Sequence, residues 1–473
     1  MSTSSNNEII YGIDDHPPIG ETITLGLQHY LTMLGSTVAV PLFLKEYCFK
    51  TADPLEMAVL ISTMFFVSGI CTILQATWGN RLPIVQGGTF SFIGPTIAIC
   101  GMAHLQGSGW ELKMVHVQGA IIVGGATEAL IGFTGLAGRM LKYIGPITIA
   151  PTITLIGISL FGAGSLFAGQ DWGLAGITIV LIILFSQYLR NKARAFRMYP
   201  ILLAIGVAWG LAILLTELGI YDVADPRDSR AVKWDNVSNS DWLGIPTPFQ
   251  WGTPTFGMAA IVGMFAGFVA SMIESIGDYY ACARLAGAKA PDAKQVNRGI
   301  MFEGIGCMIA GIFGTGNGTT SYSENIGAIG LTKVAARRVV QAGAIMMIFL
   351  GLFPKFGAVF TTIPQPIVGG MFCALFGMIA AVGLSNLQFV DLNSARNLFI
   401  IGFALYMGLV VPEYVGSKHP NGFALGETWN WFGQMAYAIC KSGMSVGAIL
   451  AFTLDNTVPG TDEERGLITW RQQ

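Results

Sequence analysis

Glu274 and Asp278 stand four residues apart in the apolar stretch Ala270-Ser271-Met272-Ile273-Glu274-Ser275-Ile276-Gly277-Asp278, so on a helix they share one face and point at the same spot. Two carboxylates held together out of water repel each other unless a cation or a proton sits between them or a ligand donates to one of them. The pair therefore suits cation-coupled binding of a small polar solute. The plainer alternative is that both acids cap the end of a helix that starts near residue 255. An ionisable side chain at membrane depth costs on the order of 2.5–3.5 kcal/mol even on lenient insertion scales, so each one calls for a partner or a purpose. Glu128, Glu303 and Lys441 also fall inside apolar runs and read as packing pairs or interface residues. His29, next to Gln28 and about two turns into the first apolar helix, reads as a structural partner of the site that fixes Glu274 or Asn325.

Two further stretches are too broken for a continuous helix. Val85-Gln86-Gly87-Gly88-Thr89-Phe90-Ser91-Phe92-Ile93-Gly94-Pro95 is one, and the run from Gly314 through Asn317, Ser323 and Glu324 to Gly327 is the other. They are the third and tenth of about fourteen apolar segments, so they occupy matching places in two halves of seven. A pair of Gly/Pro-interrupted segments in register is the mark of an inverted-repeat transporter whose site lies at the membrane midplane. Extended backbone followed by a half-helix at each place would aim free N–H groups at a ligand.

The elements that must position these residues follow from composition. Of 473 residues, 52% are apolar and 11% charged, about half the charged share of a soluble domain, so lipid is the main solvent. A span needs roughly 20 apolar residues, and the chain supplies such runs repeatedly between short turns rich in Gly, Pro, Asn and charge. The expected class is an all-α polytopic membrane protein with about 14 transmembrane segments and short strands in segments 3 and 10. Residues 1–18 form an N-terminal tail without a signal peptide and 19–220 the first repeat. Residues 221–254 form an external loop, 255–455 the second repeat, and 456–473 a C-terminal tail. More Lys and Arg lie in the connections on the side of the termini than on the other, which places both tails in the cytoplasm of a plasma-membrane protein. The acidic loop 221–254 carries the sequon Asn236-Val237-Ser238, an expected glycosylation site.

Several function classes drop out. A net charge of −2 offers no basic surface for nucleic acid. The seven cysteines are scattered singly, which fits neither a disulfide framework nor a metal site, and no metal beyond a coupling sodium is expected. There is no G-x-S-x-G, no H-E-x-x-H and no Walker A motif, so neither an enzyme nor an ATP-driven pump is expected, and no cofactor is called for. A channel would need a continuous polar stripe along several spans, which is not seen.

Glu324-Asn325-Ile326-Gly327-Ala328-Ile329-Gly330-Leu331-Thr332-Lys333 matches the signature [Q/E/P]-N-x-G-x-x-x-x-T-[R/K/G] of the nucleobase-ascorbate transporter family at every defined position. Gln28-His29 resembles the family's first-span motif, and the stretch from Glu274 to Ala281 its eighth-span motif. The chain is closest to the animal sodium-dependent branch that includes the vitamin C transporters. The resemblance implies a core domain (spans 1 to 4 and 8 to 11) moving elevator-fashion against a gate domain (spans 5 to 7 and 12 to 14), often as a homodimer. Carried over by position, Glu274 and Glu324 look like the carboxylates that bind a nucleobase, with Ser36, Phe90, Ser323 and Asn325 lining the pocket. His29, Gln28 and Gly327 support it, while Asp278 and Thr89 take the coupling ion, sodium rather than a proton. The vitamin C transporters carry Pro where this chain has Glu324. A carboxylate there offers acceptors to the N–H edge of a base and would repel the ascorbate anion. Nucleobase is therefore the expected substrate, with sodium-dependent ascorbate transport and proton-coupled nucleobase transport as the alternatives.

Overall fold

A computed structural model of the chain describes residues 9–140, 143–225, 228–419, 423 and 430–468. Each of the fourteen apolar segments has a helical counterpart. Among the described residues nine helices are long and apolar enough to cross a membrane, and two further pairs are bent, one by 85° and one by 92°. The last segment is thus not one helix: Lys441 ends Asn430–Lys441, and Gly443–Thr457 leaves at the larger angle.

Local chemistry sets the boundaries. Helix α1 (Ile19–Tyr47) is followed by α2 (Pro54–Thr77), whose start is a capping box: Asp53 accepts from the Glu56 amide, and Glu56 accepts in return from the Asp53 amide. After α2 the chain extends as β1 (Gln86–Gly88) and turns helical again at Phe90, where the Thr89 hydroxyl accepts from the Ser91 amide. The half-helix α3 (Ile93–Cys100) and the long α4 (Trp110–Phe133) complete the first quarter. In the second half α5 (Met258–Leu285) and α6 (Ala293–Phe313) are long spans. Gly314 closes α6 at φ +73°, a left-handed cap that costs a glycine little. The chain then runs as β2 (Thr319–Ser321) into the half-helix α7 (Ser323–Thr332).

The two broken segments meet. β1 and β2 pair antiparallel in the register Gln86↔Ser321, Gly87↔Thr320 and Gly88↔Thr319, and all six residues are buried. Away from water every backbone donor needs a partner inside the protein, and here each interrupted segment supplies it to the other. The glycines let the ribbon form: a Cβ on Gly87 would lie 2.4 Å from the Tyr322 ring and one on Gly318 2.4 Å from the Phe92 ring.

Packing sorts the helices into two bodies. α1 to α7 pack with one another and with the bent pair Arg337–Gly351 and Pro354–Thr361. Pro146–Ser159, Pro200–Glu217, α8 (Gln365–Ser385), α9 (Ala395–Lys418) and Gly443–Thr457 form the other group. These are the core and gate expected from the sequence, within the all-helical, two-repeat class with short strands. α4 and α6 touch backbone to backbone: a Cβ on Gly304 would lie 2.3 Å from the Ala129 amide nitrogen. In the gate, buried Asp455 accepts from Arg396 at 3.1 Å and Arg465 at 3.0 Å. In the 221–254 connection Arg230 donates to Asp228 at 2.8 Å, and this guanidinium holds the Asp228 carboxyl down at about 2. Asn236 stands half-buried in the short helix Asp235–Asn239 of that connection.

Candidate functional site

Between the two bodies lies a cavity of about 360 Å³. The core lines it with Ser36 of α1, Thr89 and Phe90 at the first break, Glu274, Gly277, Asp278 and Arg284 of α5, and Tyr322 and Ser323 at the second break. The gate contributes Ile149, Ile153 and Ile156, and a strip of α8 from Leu375 to Val382 that continues through Ser385, Asn386, Gln388 and Phe389. Ile9, the first described residue, packs near Gly287, just beyond α5, and Gly466 lies against Phe389. The cavity therefore extends toward the side on which both described chain ends sit.

The acids that the i, i+4 spacing put on one face of α5 both line this cavity, and each is held by hydroxyls from a broken segment. Glu274 accepts through Oε2 from Ser91 Oγ at 2.8 Å and from Thr89 Oγ1 at 3.2 Å. Asp278 accepts through Oδ1 from Ser323 Oγ at 2.8 Å. Each half-helix is thus entered through residues bound to an α5 carboxylate, and a helix N-terminus carries unpaired amides suited to an acceptor. Phe90 presents its ring to the cavity and meets Phe376 of the gate edge-on, with centroids 5.2 Å apart. The lining thus combines an aromatic ring with two carboxylates, an arrangement that suits a planar ring with N–H donors on its edge.

The remaining predicted residues stand behind this layer. Asn325 is fully buried, and its amide donates to the His29 carbonyl at 2.9 Å and faces His29 Nδ1 at 3.2 Å. His29 is thus the partner of Asn325, one of the two readings the sequence allowed, and the contact ties α1 to α7. Gln28 is buried beside it. Gly327 faces open space, since a Cβ there would meet no atom within 4 Å. The backbone of Glu324 lies in the first turn of α7, but its side chain falls outside the described residues.

Several participants escaped sequence reasoning. Ser91 is one, because its reach to Glu274 depends on the turn after β1. Arg284 is another: it continues the stripe of Glu274, Gly277, Asp278 and Ala281 by one more helical turn, so extending that face would have found it. Glu303, which the sequence offered only as a packing pair or an interface residue, is the third, since it is buried away from any interface. It accepts from Ser275 Oγ at 2.5 Å, Thr320 Oγ1 at 2.8 Å, Tyr279 Oη at 2.9 Å and Ser271 Oγ at 3.2 Å. The hydroxyl residues 271, 275 and 279 repeat every four positions along α5, which was a readable signal. Asn317, a possible second sequon, is buried and accepts from the Thr89 amide at 2.9 Å, so it serves the site rather than the surface.

A family model described as the permease family matches residues 20–416. Among curated relatives, mouse solute carrier family 23 member 1 is 45% identical over 514 aligned residues, covering all of this chain and 84% of the mouse protein. Nucleobase-ascorbate transporter 3 of Arabidopsis thaliana is 35% identical, covering 98% of this chain and 86% of its own. The chain belongs to the nucleobase-ascorbate transporter family. As a member of that family it is a multi-pass membrane transporter and not an enzyme. The transmembrane domain of a cyanobacterial bicarbonate transporter, BicA, superposes on 85% of the transporter with a TM-score of 0.57 at 14% identity, and the anion transporter SLC26A9 on 83% with 0.57 at 13%. At such identity the likeness is one of fold, and it carries the core-and-gate arrangement of this transporter.

Proposed function

We propose that this chain carries a nucleobase (uracil, thymine or a purine such as xanthine, hypoxanthine or guanine) across the plasma membrane by symport with sodium, with both termini cytoplasmic. The observation that carries the reading is the Glu274 carboxylate, fixed by Ser91 and Thr89 on the wall of an aromatic-capped cavity. In the proposed complex this carboxylate accepts from the base's ring N–H groups. Hydrogen bonds to a charged group contribute about 1.5–3 kcal/mol each. Carbonyls of the base accept from amides in the first turns of the half-helices, and Phe90 stacks on the ring. Glu324 supplies the second carboxylate from α7. Asp278 binds the sodium with help from Thr89, and Ser323 orients it. With the cation bound, the local charge falls, and the loaded core slides as a unit along the gate, which holds a homodimer together.

The test is uptake of radiolabelled uracil, xanthine and ascorbate into cells expressing the chain, in sodium and in choline buffer, with Glu324→Pro alongside. Sodium-dependent base uptake that the substitution abolishes is the expected result. Base uptake equal in both buffers overturns sodium coupling. Ascorbate uptake by the unmodified chain overturns the role given to Glu324.

A further inference from the structure

One buried acid of the core has no place in the substrate site. Glu128 of α4 is fully buried; neither carboxylate oxygen makes a hydrogen bond of ordinary length to a described residue, and the donor beside it is the weak Cys307 thiol. It sits where α4 and α6 meet backbone to backbone, flanked by Gly125 and Ala129, which press on Gly304. That contact turns Glu128 toward Glu303 and Cys307 of α6, its electrostatic neighbours. The Cys307 thiol is taken up by Thr319, whose carbonyl lies 3.2 Å away. Glu303, in contrast, is surrounded by four hydroxyl donors. Among the described residues no Lys, Arg or His forms an ion pair with either acid.

A buried carboxylate without a counter-charge is strongly destabilising, and two close together more so. Glu303 has four hydroxyl donors to share its charge, whereas Glu128 has at most the weak Cys307 thiol. Something positive must complete the pair, and the described residues around it supply no cation. The other titratable groups facing the pair are the Cys307 thiol from α6, the Tyr279 phenol from α5 and the Cys71 thiol from α2. The nearest guanidiniums along the helices are engaged elsewhere: Arg298 donates to the Gly79 carbonyl at 2.6 Å, and Arg139 is exposed.

We propose that Glu128 and Glu303 form a second cation site in the core, holding one monovalent cation, a sodium ion or a proton, apart from the site at Asp278. The inference rests on the proposed cation symport and deepens it. Ser275 and Tyr279, which hold Glu303, alternate along α5 with Glu274 and Asp278, which face the cavity. Thr320, its third partner, lies opposite Gly87 in the two-stranded ribbon. Occupancy of the pair therefore sets the spacing of α5 against the ribbon from which both half-helices spring, and the bound cation shapes the pocket without touching the substrate.

The purified full chain, free of substrate, is tested by thermal unfolding. One arm titrates sodium against choline at pH 8; the other titrates pH from 5.5 to 8.5 without sodium. Labelled uracil binding to the same preparation is read separately, so failure of the nucleobase reading is distinguishable from failure of this one. A sodium-induced rise in Tm whose midpoint moves at least tenfold in Glu128→Gln, while a response persists in Asp278→Asn, identifies sodium. A Tm that ignores sodium but follows pH, with that dependence flattened in Glu128→Gln, identifies a proton. If Glu128→Gln does not fold, Glu128→Asp, which keeps the charge on a shorter arm, is expected to weaken the response tenfold. A wild-type response in whichever variant folds, no response in the unmodified chain, or loss in Asp278→Asn alone overturns the proposal.

Discussion

At the scale of single residues, the chemistry of the cavity turns on which carboxylate is fixed and by what. Glu274 is held through Oε2 by Ser91 and Thr89, so its charge is fixed on the cavity wall. Glu274→Gln keeps the shape but replaces a charged acceptor with a neutral amide that turns a donor toward one of the site's own partners. Losing charge-assisted bonds worth about 1.5–3 kcal/mol predicts a rise in KM for the base of about ten- to a hundredfold, read from concentration-dependent uptake normalised to surface protein. The pair Glu274 and Asp278 was legible because one helix carries both acids and four-residue spacing fixes their geometry. The hydroxyls that hold them were not, since Ser91 and Ser323 come from segments far away in sequence, and only the crossing of β1 and β2 brings them to α5. The ring around Glu303 was half legible: three of its donors repeat every four residues along α5, while the fourth comes from β2 and only the tertiary fold brings it in.

At the scale of elements, the two-stranded ribbon is the part that most constrains sequence. The Gly/Pro breaks announced interruptions at matching places, but their pairing with each other is a tertiary fact that no local pattern carries. The structure also separates glycines that local pattern treats alike. A Cβ at Gly318 would lie 2.4 Å from the Phe92 ring, which itself packs on Phe268 with centroids 4.8 Å apart. At Gly327, within the family signature, it would meet nothing within 4 Å. Overpacking of a filled interior costs about 1–3 kcal/mol. Gly318→Ala is thus expected to lower the Tm of the purified chain by several degrees, whereas Gly327→Ala leaves it unchanged; an equal effect of the two would show that the ribbon is not tightly packed. In the gate, Asp455 with Arg396 and Arg465 is the corresponding fixed point. Removing the acid strands two guanidiniums against buried backbone, and breaking a buried pair costs about 3–5 kcal/mol. Asp455→Ala is expected to reduce surface expression and Tm more than Arg465→Ala, since the latter leaves Asp455 its bond to Arg396.

At the scale of the whole molecule, the core and the gate meet through aromatic side chains and with few polar contacts. Phe43 of α1 lies edge-on to Phe372 of α8 with centroids 5.6 Å apart, and Phe90 lies edge-on to Phe376. Ring contacts of this kind are non-directional enough to slide, whereas the ribbon and the α4–α6 glycine contact lock the core internally. Division into two bodies follows from which apolar faces find each other, and the sequence held only its outline, in the number and order of spans. If transport moves the core along the gate, a bond between the bodies stops it while leaving the fold intact. In a background where the seven native cysteines are replaced, Phe43→Cys with Phe372→Cys places two thiols across the sliding surface. Oxidation or a short thiol-specific linker is expected to abolish base uptake and a reducing agent to restore it, while each single variant treated alike keeps its activity. Binding of labelled base from the side to which the cavity extends should survive the cross-link, because the carboxylates proposed to hold the base all stand on the core. Uptake that persists after complete cross-linking would mean that the substrate passes without relative motion of the two bodies, and the elevator reading would fall.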